Sequence, residues 1–87
     1  MKITSIHYDA GFENEFRKLP REIQKRAAKT EILFRQDPFH PSLRLHKLEG
    51  PLKNYWSISI NLNYRIIFSM KNGEALFISI GNHSVYQ

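Results

Sequence analysis

The chain has 87 residues, enough for one hydrophobic core and too few for two, so we predict a single domain spanning residues 1–87. Hydrophobic residues make up 41% of it without a long apolar run, which argues against a membrane span, and the lack of cysteine excludes disulfides and thiolate metal sites. A net charge of +5 favours polyanionic partners such as nucleic acid, although it would also serve solubility alone. No secretory pattern opens the chain, so we expect a cytoplasmic protein.

The N-terminal part predicts one strand followed by two helices. The β-branched content of residues 2–8 favours a strand, and Asp9 can cap a helix over residues 10–19. Pro20 ends that helix and suits the first turn of a second one over residues 20–36. Apolar residues recur at helical spacing in both helices and would pack on a sheet: Phe12, Phe16 and Leu19, then Ile23, Ala27, Thr30 and Phe34.

After the proline-containing loop 37–41 the hydrophobic period changes to two, which is typical of strands. Turn residues, among them Lys71-Asn72-Gly73, divide this part into short segments joined as hairpins. The sequence therefore predicts an α+β fold in which an N-terminal strand and a two-helix hairpin pack on an antiparallel β-sheet, in the order β-α-α-β-β-β-β. The predicted later strands are residues 43–48, 55–62, 64–70 and 75–83.

Arg65 is the first candidate for chemistry. It stands in mid-strand on the same side as Ile67 and Ser69, where an unpaired guanidinium could not be buried. Its planar fork matches two oxygens of a phosphate. The structural alternative is a cross-strand salt bridge, for example to Glu49.

Two histidines stand on strands that the predicted sheet can bring near Arg65. Imidazole gives and takes protons near neutrality, so His46 and His83 could act as a general acid and base pair. Metal ligation is the other common use of histidine, but the four histidines lack the spacing of a ligand pair, so we expect neither a metal nor another cofactor. A basic sheet that only docks on another protein remains the alternative.

Further basic and aromatic residues surround these candidates. Arg44, Lys47 and Lys53 could add phosphate contacts around a cleft, and Tyr86 near the C-terminus could stack on a base. Together they predict an RNA-binding rim.

The segment HPSLRLHKLEGPLKNYWSISINLNYRIIF followed by FISIGNHSVY resembles the RelE/ParE superfamily of bacterial type II toxin–antitoxin toxins. The resemblance implies two N-terminal helices on a sheet. In the YoeB- and YafQ-like branch it also implies an endoribonuclease that cuts mRNA in the decoding site of the ribosome, which contains 16S rRNA. A cognate antitoxin would hold this enzyme inactive. By the same resemblance, Arg65 would hold the scissile phosphate, His83 would be the general acid, and His46 would stand where relatives place a glutamate base.

The implied reaction is attack by a ribose 2′-OH on the adjacent phosphate, giving a 2′,3′-cyclic phosphate. Two other readings of the resemblance stay open. One is a ParE-like inhibitor of DNA gyrase, and the other is a catalytically inactive module that only binds an antitoxin.

Overall fold

The computed structural model describes residues 2–82, in which two helices pack on one face of a five-stranded sheet. The strand order across the sheet is β1-β5-β4-β3-β2, and the predicted α+β fold is confirmed. Neither helix has the length and apolar character needed to cross a membrane. In chain order the elements are β1 (Ser5–Tyr8), α1 (Ala10–Arg17), α2 (Arg21–Gln36), β2 (His46–Lys47), β3 (Trp56–Ser59), β4 (Tyr64–Lys71) and β5 (Glu74–Asn82).

The sequence marks where both helices begin, but α1 ends at Arg17, two residues before its predicted end. The carboxylate of Asp9 accepts a hydrogen bond of 2.8 Å from the backbone N–H of Gly11 and caps α1. Pro20 precedes the first residue of α2, where its missing N–H costs no helical hydrogen bond. The side-chain amide of Gln24 donates to the carbonyl of Phe16 at 2.9 Å, so α2 satisfies an acceptor left open at the end of α1.

Four strands, β2 to β5, form the predicted antiparallel meander. The turn between β3 and β4 is held by Asn61, whose side-chain oxygen accepts from the backbone N–H groups of Asn63 and Tyr64 at 2.8 Å each. The turn between β4 and β5 places Asn72 and Gly73 at positive φ, as expected for a tight hairpin.

The N-terminal strand makes the sheet mixed. β1 pairs with β5 in parallel, with Ser5 opposite Glu74 and Tyr8 opposite Phe77, whereas the sequence predicts an antiparallel sheet. The reason is topological, because β1 and β5 come from opposite ends of the chain and no hairpin joins them. The hydroxyl of Tyr8 also donates to Glu31 on α2, and partial burial together with this carboxylate raises the pKa of Tyr8 to about 12.

One core lies between the helices and the sheet. Phe34 of α2 packs edge-on against Phe68 of β4 with 4.9 Å between ring centroids, and Phe77 of β5 contacts both rings. Ile58, Ile66 and Ile80 complete the sheet side of this core and are almost fully buried. The even-numbered residues of β3 and the first part of β4 therefore point toward the helices.

Three strands are shorter than predicted. β1 begins at Ser5, whereas the predicted strand begins at residue 2. β2 covers His46 and Lys47 only, because residues 41–43 form a 3₁₀ turn and Arg44 adopts the left-handed conformation. β3 ends at Ser59, since the side chain of Asn61 starts the turn early.

Candidate active site

The face of the sheet that points away from the helices carries the candidate site. Cross-strand pairing aligns His46 with Ser57, Ser57 with Ile67, and Ser59 with Arg65. Directly paired residues point to the same side of a sheet, as do residues two apart along a strand. His46 and Arg65 therefore share this face, which we call the polar face (His46, Ser57, Ser59, Arg65 and Ile67).

Arg65 is anchored on the polar face by a neighbouring strand. Its side chain is half-buried, and its guanidinium donates a hydrogen bond to the hydroxyl of Ser59. The predicted alternative, a salt bridge to Glu49, is wrong, because within residues 2–82 the ion pair that forms is the one between His7 and Glu74. A guanidinium does not lose its proton in proteins, so Arg65 brings a permanent positive charge to this face.

His46 lies at the edge of the polar face, on the outermost strand. Its Nδ1 is 3.2 Å from the carbonyl oxygen of Arg44, which can only accept, so this contact places the proton of the neutral ring on Nδ1. The lone pair is then on Nε2, the nitrogen able to take a proton. From the spacing of strands and residues, the backbones of His46 and Arg65 are about 12 Å apart, a gap that two side chains can share with a phosphodiester.

The predicted RNA-binding residues do not all lie on this face. Lys47 pairs with Trp56 and therefore stands on the helix side of the sheet at its edge, opposite to His46. Arg44 is exposed at the end of the 3₁₀ turn, with φ 48° and ψ 47°. Lys53 is exposed in the turn before β3. The structure thus brings His46 and Arg65 together and separates Lys47 from them.

Two predicted site residues, His83 and Tyr86, lie outside the described residues. β5 is described to Asn82, and its residue Gly81 pairs with Arg65. In the described part of the chain, no group of three or more His, Cys, Asp or Glu side chains is arranged to hold a metal ion.

Sequence reasoning missed the role of Ser59. Ser57 and Ser59 alternate with the apolar residues of β3, and both serines are buried. A serine directly across a hairpin from a mid-strand arginine is the signal that points to such a pair. The hydrogen bond to Ser59 helps to hold the guanidinium of Arg65 on the polar face.

The chain resembles known toxins in sequence. A sequence model of the family described as "RelE-like toxin of type II toxin-antitoxin system HigB" matches residues 12–83. A segment of 36 residues is 42% identical to Endoribonuclease HigB of Proteus vulgaris. That segment makes up 41% of this chain and 39% of the relative, so the match spans well under half of the relative's length.

Solved structures share the fold. YafQ from E. coli is similar with a TM-score of 0.79, covering 93% of this chain and 94% of that chain at 14% identity. A chain of the E. coli DinJ–YafQ toxin–antitoxin complex is similar with a TM-score of 0.77, covering 98% and 97% at 13% identity. At this low sequence identity the comparison shows a shared fold, that is, the same arrangement of helices and strands.

We predict that Ser59→Ala lowers the free energy of unfolding by about 1–3 kcal/mol, because the half-buried guanidinium of Arg65 loses an acceptor. Ser69→Ala is the matched control, since Ser69 is half-buried on β4 and points to the same side as Arg65. It should change stability by less than about 0.5 kcal/mol. Urea unfolding measures both variants, and equal losses would contradict an anchoring role for Ser59.

Proposed function

The chain belongs to the family of RelE-like toxins of type II toxin–antitoxin systems that HigB represents, and on this premise we propose that it is an endoribonuclease that cuts mRNA in the ribosome without a metal ion. The observation that carries this proposal is the placement of Arg65 and His46 on one face of the sheet. The name of the HigB relative, an endoribonuclease, supports the same activity.

The proposed reaction is an internal transfer of the phosphate. The 2′-oxygen loses its proton and bonds to the adjacent phosphorus, while the bond from phosphorus to the 5′-oxygen of the next nucleotide breaks. That oxygen takes a proton and leaves as a 5′-hydroxyl, and the other fragment ends in a 2′,3′-cyclic phosphate. The reaction needs one base, one acid and a cation beside the phosphate.

Arg65 is the cation in this proposal. Its fork can bind two non-bridging oxygens, on which negative charge grows as the 2′-oxygen attacks. The hydrogen bond to Ser59 holds the guanidinium in place before substrate arrives, so little reorganisation is needed during the reaction. Partial burial strengthens the attraction because it limits screening by water.

His46 is the proposed base and His83 the proposed acid. Because Nδ1 of His46 donates to the carbonyl of Arg44, we assign the uptake of the 2′-OH proton to Nε2 of the same ring. His83 directly follows Asn82 in the sequence, and its role rests on the family resemblance. We assign to it the protonation of the leaving 5′-oxygen.

Contacts to the rest of the RNA come from residues around the polar face. Arg44 and Lys53 are exposed and basic, and we propose that they bind phosphates beside the cleavage site, with Tyr86 stacking on a base. Lys47 lies on the other side of the sheet edge. It would contact either mRNA that wraps around β2 or the 16S rRNA of the decoding site. Binding should therefore weaken as salt is added.

An antitoxin is the proposed protein partner. A chain of the DinJ–YafQ toxin–antitoxin complex shares the fold, and the net charge of +5 favours an acidic partner segment. The proposed antitoxin inhibits by covering cationic surface that RNA would otherwise contact.

Arg65→Ala should lower the rate of cleavage of ribosome-bound mRNA by about 10²–10³-fold, because the charge developing on the phosphate loses its main donor. Growth arrest on expression should disappear, while antitoxin binding persists. Arg21→Ala, which removes an exposed arginine at the start of α2, is the control and should retain activity. A wild-type cleavage rate in Arg65→Ala would refute the assignment, and inhibition of gyrase supercoiling without RNA cleavage by the wild type would point to ParE-like activity.

The acid can be separated from the base with a modified substrate. His83→Ala and His46→Ala should each slow cleavage by about 10²–10⁴-fold. Replacing the leaving 5′-oxygen by sulfur gives a thiolate that departs without a proton, so this substrate should restore cleavage by His83→Ala only. Rates are measured in single-turnover experiments. Restoration of His46→Ala rather than His83→Ala would reverse the two roles, and restoration of neither would remove His83 from the acid role.

A further inference from the structure

A cleft of about 710 Å³ lies beside the polar face, on the other side of the edge of β3. The cleft exists because β2 begins late. Arg44 adopts the left-handed conformation and the chain joins the sheet only at His46, so the end of β3 at Ser59 has no β2 residue beside it. The walls are α2, the 3₁₀ turn Pro41–Leu43 and the turn between β3 and β4.

The cleft is lined by three cations. Arg26 and Lys29 stand three residues apart on α2 and so lie on one side of the helix, and Arg44 lines the same cleft from the end of the 3₁₀ turn. The residues that line the cleft include no Asp or Glu, and none of these three cations forms an ion pair within the described residues. All three are exposed, and hydroxyl and amide groups of Ser42 and Asn61 complete the polar lining. Such a concentration of one sign of charge in a concave surface attracts an anion.

One residue, Ser59, links the cleft to the proposed catalytic arginine. Ser59 lines the cleft and also accepts the hydrogen bond from the guanidinium of Arg65. The cleft and the guanidinium of Arg65 therefore both adjoin the residue at the end of β3. A polyanion with regularly spaced charges fits this arrangement better than an isolated anion does.

We propose that this cleft binds the backbone of single-stranded RNA next to the phosphate held by Arg65, with Arg26, Lys29 and Arg44 as the phosphate-binding groups. The inference rests on the proposed function, which supplies the RNA, and extends it by two residues of α2 that the polar face does not include. Phosphates of mRNA and of ribosomal RNA offer the same chemistry to these side chains.

The test compares two double variants of equal charge. Arg26→Gln with Lys29→Gln removes two cations from the cleft, and Arg21→Gln with Lys25→Gln removes two exposed cations of the same helix that do not line it. Binding is measured over a range of salt concentrations with two probes, a 2′-O-methyl single-stranded RNA that cannot be cleaved and ribosomes without mRNA. Thermal melting checks that both variants fold.

For single-stranded RNA, each lost phosphate contact lowers the slope of log affinity against log salt by about 0.7, so the cleft variant should lose about 1.4 and the control much less. A lower slope with the single-stranded RNA supports the proposal, whereas a lower slope with ribosomes alone would assign the cleft to ribosomal RNA and overturn it. Equal slopes for the two variants with both probes would overturn it. So would loss of poly-glutamate binding by the cleft variant at unchanged RNA slopes, which would assign the cleft to an acidic protein segment.

The proposed nuclease activity is tested separately from RNA binding by the cleft. Because the 2′-O-methyl probe has no nucleophile, its binding reports on the cleft alone, whereas cleavage of unmodified mRNA by the wild-type protein reports on catalysis. A cleft that binds RNA in a protein that does not cleave it would refute the nuclease and leave the cleft. Cleavage of mRNA by the wild-type protein, together with unchanged salt slopes in the cleft variant, would refute RNA binding by the cleft and leave the nuclease.

Discussion

The hydrogen bond from Arg65 to Ser59 depends on the register between β3 and β4, and that register is fixed by the core. Ile58 pairs with Ile66, and both are buried against the helices, so the residues that flank them along each strand must point the other way. A slip of one residue would turn Arg65 into the core and an isoleucine out of it. The packing of the aromatic and aliphatic core therefore places the guanidinium on the polar face, where it can meet a phosphate.

The polar face is neither fully exposed nor apolar. Ser57, Ser59 and Ile67 are buried there, and Arg65 is half-buried. Within the described residues no buried side-chain nitrogen or oxygen lacks a hydrogen-bond partner, so these polar groups are satisfied while they are partly shielded from water. A shielded guanidinium attracts the charge of a phosphate more strongly than one on an open surface.

Local patterns in the sequence predict most of the fold. The cap at Asp9, the boundary at Pro20 and the turn at Asn72-Gly73 need only neighbouring residues, and the structure confirms them. The parallel pairing of β1 with β5 was not predictable in this way, because it joins segments almost seventy residues apart. The late start of β2 was missed because the left-handed conformation of Arg44 has no marker such as glycine.

The same limit applies to the site. Alternation along the strands predicts that Arg65 and Ser69 share a side, and hairpin pairing adds His46 once the register is known. The cleft beside α2 depends on which helix residues meet the edge of β3, and this contact has no short-range signal. The family resemblance names the catalytic candidates but says nothing of Arg26 or Lys29.

The most direct test of the proposed mechanism is the chemistry of the RNA ends that the purified protein leaves on a ribosome-bound mRNA. Attack by the 2′-oxygen, with Arg65 at the phosphate, predicts a 5′-hydroxyl on one fragment and a 2′,3′-cyclic phosphate on the other. A 5′-phosphate with a 3′-hydroxyl would show that water attacks instead, and it would contradict the proposed roles of Arg65, His46 and His83.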